Sequence, residues 1–203
     1  MKYNLRLIGI IVLIWALLDI VLTIKQEPYY VMFWFSNSIF LLLSIGLLFR
    51  NRLLVSSIAI AAVITETGWV LDFVTRLITT HGLFAAPVTE YMFTGIGFAS
   101  IRFYTELSHV AVIPLALYGA YKLGIHKRAY LLCFAYSVFF NLLAYFFASA
   151  EYNLNCVHYL CFLSTNPHWI PQPYYLIIWI FVPVIFAALP LNYLFIKWFP
   201  ENN

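Results

Sequence analysis

Six apolar stretches take up almost the whole of this 203-residue chain, at about residues 7–24, 29–49, 53–79, 98–121, 129–149 and 173–196. Each is close to the roughly 20 residues that an α-helix needs to cross a hydrocarbon core. Strands of a transmembrane barrel are about ten residues of alternating polarity, whereas these runs are continuous and longer. The fold expected is therefore all-α: one domain, a six-transmembrane-helix bundle. Composition agrees, with 64% hydrophobic and 9% charged residues and a mean hydropathy of +0.90, well outside the soluble globular range.

The basic residues give the bundle a direction. Lys2, Arg6, Arg50, Arg52, Lys122, Lys127, Arg128 and Lys197 fall in alternate gaps, leaving only Lys25, Arg76 and Arg102 for the other side. The positive-inside rule then makes the topology N-in and C-in, with external loops around 25–28, 80–97 and 150–172. The first run has a basic start, but Thr23-Ile24-Lys25-Gln26-Glu27-Pro28 offers no small-residue cleavage site, so it reads as a first helix rather than a removed signal peptide. The net charge of +3 follows the inner-loop bias and suits anionic lipid headgroups; without a basic stripe no nucleic acid partner is expected. Tyr29, Tyr30, Trp34, Trp169, Tyr174 and Tyr175 sit where an interfacial aromatic belt belongs.

With sidedness set, the polar residues inside the helices sort by depth. Asp19, Ser36, Asn37, Ser38, Asp72, Arg102, Glu106, Tyr145 and Ser149 fall in the outer halves, and Glu66, His109 and Asn141 near the middle. Each intramembrane charge costs at least a few kcal/mol unless paired or wet. Clustering on one side with apolar inner halves predicts an outward-facing polar cavity closed towards the cytoplasm. Arg102, Glu106 and His109, at i, i+4 and i+7, share one helical face. Pro114 predicts a kink near His109, about 16 Å along that helix.

Several chemistries fit these residue types. Arg102–Glu106 and Asp72–Arg76 can be structural i, i+4 ion pairs, with His109 joined to Asn141 as interhelical glue. That leaves Glu66, Asp19 and His109 unexplained. Glu106-Leu107-Ser108-His109 has the Glu-x-x-His spacing of dimetal bundles, but it occurs once, and no cofactor or metal is implied. Acyl transfer needs a hydroxyl and a base: Ser36 or Ser38, about 200° apart on their helix, can supply the nucleophile, His109 the base, and Asn37 or Asn141 the oxyanion donor. A proton- or cation-coupled carrier, acting as a homodimer, could instead use Glu66, Asp72, Asp19 and His109. No matching helix breaks in the two halves support it, and no polar exit leads to the cytoplasm.

In the external loop, Cys156 and Cys161 can form a disulfide or, with His158, clip a metal. Cys133 reads as buried packing, and Asn153 and Asn155 as a polar rim or a helix cap.

The segments Phe35-Ser36-Asn37-Ser38, Trp69-Val70-Leu71-Asp72-Phe73-Val74-Thr75-Arg76-Leu77, Glu90-Tyr91-Met92-Phe93, Ser108-His109 with Pro114, and Glu151-Tyr152-Asn153-Leu154-Asn155 resemble a family of uncharacterised bacterial six-helix membrane proteins over about residues 29–195. That resemblance implies the bacterial cytoplasmic membrane. More distantly, a hydroxyl early in the second helix and a histidine before a proline in the fourth resemble the androgen-induced family of membrane hydrolases, which cleave fatty-acid esters with a threonine and a histidine. This implies Ser36 as nucleophile and His109 as base. The function expected is hydrolysis of, or acyl transfer from, a lipid-like ester taken from the outer leaflet. Catalysis falls to Ser36, His109, Asn37 and Asn141, and binding of a small amphiphile to Glu66, Asp72, Arg102, Glu106 and Tyr145.

Overall fold

A computed structural model describes residues 3–84, 88–161 and 170–199; Lys2 and Trp169 lie outside them. Among the described residues every regular element is helical. In chain order they are α1 (Tyr3–Gln26), a 3-10 turn (Tyr29–Phe33), α2 (Phe35–Leu48), α3 (Arg52–Thr79), a π-helical turn (Met92–Ile96), α4 (Ile101–Glu106), α5 (Ser108–Leu123), α6 (Ala129–Phe147), a 3-10 turn (Leu154–Cys156), α7 (Tyr174–Pro183), a second π-helical turn (Val184–Ala188) and α8 (Leu189–Trp198). Among the described residues four spans are long and apolar enough to cross a membrane: Leu5–Gln26, Arg52–Thr79, Ala129–Phe147 and Tyr174–Trp198. Leu7, Ile14 and Ile24 of α1 are more than half exposed, as lipid-facing side chains are.

The other two expected runs are interrupted. Over 29–49 the chain first makes the 3-10 turn after Pro28, passes through the extended Trp34, and only then enters α2, which has 14 residues. The break is held from across the bundle: the Asn155 side chain accepts the Phe35 N–H (2.8 Å) and donates to the Phe33 carbonyl (2.9 Å). Asn155 is thus a helix cap, though for α2 rather than for its own neighbour. Over 98–121 the helix breaks at Leu107, whose carbonyl accepts both Val110 N and Ala111 N. The expected kink therefore lies on the outer side of His109, and Pro114 sits inside a continuous α5.

α3 is the central element. Val55 through Ala62 are buried without interruption, the pattern of a helix surrounded on every side. It packs against α2, α5 and α6, while α1 lies along α2. Small residues allow these approaches: a side chain at Gly119 would meet Leu47 and Val55 at under 3.0 Å. Asn51 caps α3 by accepting Leu54 N–H. Arg52 donates to the Ile125 carbonyl and Asn192 to that of Lys127, so the α2–α3 turn, the α5–α6 turn and α8 meet at one end. The apolar core between α2, α3 and α5, centred on Ile39, Leu43, Leu47 and Ile58, closes that half of the molecule.

Candidate functional site

Opening towards the opposite half, with Ala61, Cys133 and Ala188 of the apolar core at its deep wall, lies a cavity of about 610 Å³. Ser36, Asn37, Glu66, Arg102, Glu106, His109 and Asn141 all line it. Residues from α2, α3, α4, α5 and α6 thus converge as the depth pattern of the sequence requires.

His109 is the hub. Its Nδ1 lies 2.6 Å from Glu66 Oε2 and its Nε2 3.4 Å from Glu106 Oε2. The expected His109–Asn141 contact is not formed; Asn141 donates to Ser137 Oγ, one turn back on α6 (3.1 Å). Carboxylates win because a buried imidazole N–H makes a stronger, charge-assisted bond to them than to an amide. The ring lies flat on Trp69, centroids 4.4 Å apart and planes at 14°. Trp69 stands one turn beyond Glu66 on α3, so one helix both hydrogen-bonds and stacks the imidazole.

The network continues outward on both sides. Thr65 donates to Glu66 Oε1 (2.8 Å), and Tyr91 donates to Glu106 Oε2 (3.1 Å). Arg102 pairs with Glu106 at 3.3 Å, as its i, i+4 spacing implies, and its Nη1 also reaches Glu27 (2.9 Å) and Gln26 (3.0 Å) at the end of α1. At 2%, 8% and 9% exposure, Glu66, Glu106 and His109 are removed from bulk water. The break at Leu107 sets Glu106 and His109 on successive helices, so the two follow separate axes.

Two expected binding residues belong elsewhere. Asp72 is fully buried but serves the loop: Oδ1 accepts the N–H groups of Leu83 (2.6 Å) and Phe84 (3.3 Å), and Oδ2 the N–H (3.0 Å) and hydroxyl (2.7 Å) of Thr89. These donors replace the expected pairing with Arg76, whose buried Nε has no hydrogen-bond partner. A carboxylate among loose N–H groups can accept several short bonds at once, which one guanidinium four residues along cannot match in number. Tyr145 is drawn off the cavity by stacking on His158, centroids 5.1 Å apart. Between the serines, Ser38 donates back to the Phe35 carbonyl (2.6 Å), whereas Ser36 lines the cavity.

Cys156 and Cys161 are joined in a disulfide, which removes both sulfurs as ligands for a His158 metal clip. Among the described residues no group of three or more His, Cys, Asp and Glu side chains is placed to hold a metal ion. The disulfide loop forms part of the cavity rim. Asn153 ties it by accepting the N–H groups of His158 and Tyr159, while Tyr175 and Trp179 of α7 donate to the carbonyls of Cys156 and Asn155. Cys133 is free and buried, and it too lines the cavity.

Sequence reading missed Glu27, Thr65, Trp69, Tyr91 and Trp179. Trp69 and Thr65 had a signal, since both flank Glu66 on its own helix, and Trp69 and Tyr91 fall in segments that carry the family resemblance; Glu27 had none beyond lying in an outer loop. No family model, no curated protein and no solved structure matches the chain.

Proposed function

We propose that the chain is a six-span, N-in/C-in protein of the bacterial cytoplasmic membrane that hydrolyses, or transfers the acyl group of, a lipid-like ester. The cavity admits a small amphiphile from the outer leaflet. The disulfide supports this sidedness, because such bonds persist in oxidising compartments, and it lies at the end opposite the turns carrying Arg50, Arg52, Lys127 and Arg128.

One observation carries the chemistry: the 2.6 Å contact from Glu66 to His109 Nδ1, in a cavity that also holds Ser36. A base held by a third group is one half of the arrangement that activates a nucleophile, and a hydroxyl in the same cavity can supply the other half by moving into hydrogen-bond reach. Ser36 Oγ attacks the ester carbonyl as His109 Nε2 takes its proton, with Glu66 steadying the imidazolium. The oxyanion meets an amide N–H of Asn37 or Asn141. The imidazolium then protonates the departing alcohol, and water, activated by the same ring, releases the acid and restores Ser36.

In the resting state Ser36 and His109 share no hydrogen bond, and Nε2 faces Glu106 at 3.4 Å. The proton on Nε2 therefore passes first to Glu106, which leaves Nε2 free to accept the Ser36 proton when a substrate brings the hydroxyl within reach. Transport is the second reading, favoured by the carboxylates on both ring nitrogens, which suit a held proton. The deep wall of the cavity counts against it, since Ala61, Cys133 and Ala188 bring no charged group there to carry a proton onward.

The test is release of fatty acid from a panel of lipid esters by detergent-purified protein, comparing wild type with Ser36→Ala, His109→Gln and Glu66→Gln at matched folding. Loss of activity in Ser36→Ala and His109→Gln supports the reading. Hydrolysis unaffected by either, or absent throughout, rejects it.

A further inference from the structure

Carboxylates at the cavity outnumber the cations. Glu27, Glu66 and Glu106 line it, against Arg102 and His109. Even with His109 as imidazolium, three negative charges face two positive ones. Asp19, 6% exposed and one turn before the cavity-lining Thr23 on α1, is a further carboxyl near the site, but it does not line the cavity and is not counted among the charges of its wall. Its Oδ1 is buried with no hydrogen-bond partner. Glu27 and Glu106 share Arg102, and Glu66 and Glu106 share His109, so the wall as a whole carries one negative charge more than its cations offset.

The rest of the wall says what kind of cation fits. Ser36, Asn37 and Asn141 offer dipoles but no charge. Trp34 and Trp179 add indole surface to the wall, whereas Trp69 is already stacked on His109 and Phe73; indole is the best aromatic surface for an organic cation and a good one for an alkyl chain. No donor set for a metal ion exists among the described residues.

We propose that the ligand of this cavity is a cationic amphiphile: a long apolar chain whose polar end carries a protonated amine or quaternary ammonium group and no anionic group. The ammonium lies against the Glu66 and Glu106 side and the chain runs along the indoles. This narrows the substrate class of the hydrolase reading and rests on that reading only for the cavity being the site. In an ester of this class the substrate's own cation offsets the oxyanion that forms beside Glu66 and Glu106. A free fatty carboxylate, the product, is expelled by the same excess charge.

The experiment uses the full-length protein in a non-ionic detergent with three probes of equal chain length: dodecyltrimethylammonium, dodecanol and laurate. Binding is read by quenching of tryptophan fluorescence and by the shift in thermal unfolding. The expected result is a Kd for the ammonium at least tenfold lower than for dodecanol, with laurate weakest. Glu66→Gln and, at the rim, Glu27→Gln should each reduce that preference severalfold. Dodecanol or laurate binding as tightly as the ammonium to the wild type overturns the proposal, whatever the variants do. It is separable from the hydrolase reading: ammonium preference without ester hydrolysis leaves it standing alone, and hydrolysis of neutral esters without that preference removes it alone.

Discussion

Glu66 Oε2 lies 2.6 Å from His109 Nδ1, although 43 residues of chain separate them. The pair fixes the imidazole ring, and with it the nitrogen left for chemistry. Glu66→Gln keeps the shape but removes the charge and can present its amide N–H to Nδ1, selecting the wrong tautomer. Turnover should fall by about 100-fold or more, well beyond any severalfold rise in KM from the lost charge. Glu66→Ala leaves His109 without its main partner and should cost about 3–5 kcal/mol of stability. Ester-release kinetics and thermal unfolding on the same preparations separate the two effects.

Asp72 anchors Leu83, Phe84 and Thr89, in the loop after α3, through four hydrogen bonds. Hydrogen bonds to a charged group are worth about 1.5–3 kcal/mol each and are not additive, so Asp72→Ala should destabilise by ~2 kcal/mol or more. Limited proteolysis should then cut within that loop. Ligand binding in the cavity should change less than stability, because Asp72 does not line it.

The chain has three cysteines, and the structure leaves Cys133 as the free thiol. Alkylation of unfolded, unreduced protein should add one label per chain, rising to three after reduction, as read by intact mass. In sealed cells, a membrane-impermeant reagent should modify Cys156 and Cys161 after reduction, and Lys122→Cys only after permeabilisation. The reverse pattern would invert the topology.

His158 gives the cavity rim a pH dependence. Burial holds its imidazole below the ordinary range, and its Nε2 is buried without a partner. The unfolded loop takes up a proton near pH 6.5 and the folded one only at lower pH, so the rim is fully stable above about pH 6.5 and loses stability as pH falls below it. Hydrogen exchange of the 153–159 amides, corrected for intrinsic rate, should accelerate more between pH 7.5 and 5.5 in wild type than in His158→Gln.

The depth at which polar residues gather was readable from the sequence because hydrocarbon penalises each of them. That single rule brought Ser36, Asn37, Glu66, Arg102, Glu106, His109 and Asn141 to one cavity. Partner choice inside the cavity was not readable. His109 selects Glu66 over Asn141, and Asp72 selects loop N–H groups 11 to 17 residues away, neither of which follows from helical spacing. The break between Phe33 and Phe35 was hidden for a similar reason: apolar character runs straight through it, and the side chain that stabilises it, Asn155, lies 120 residues from Phe35.

The shortness of α2 also shapes the cavity mouth. Its 14 residues rise about 21 Å, against a hydrocarbon thickness of about 30 Å. The remaining ~9 Å is spanned not by α-helix but by the Tyr29–Phe33 turn, which the Asn155 side chain holds in place, so the mouth of the cavity beside Ser36 is built from turn backbone that a single side chain from across the bundle keeps in shape.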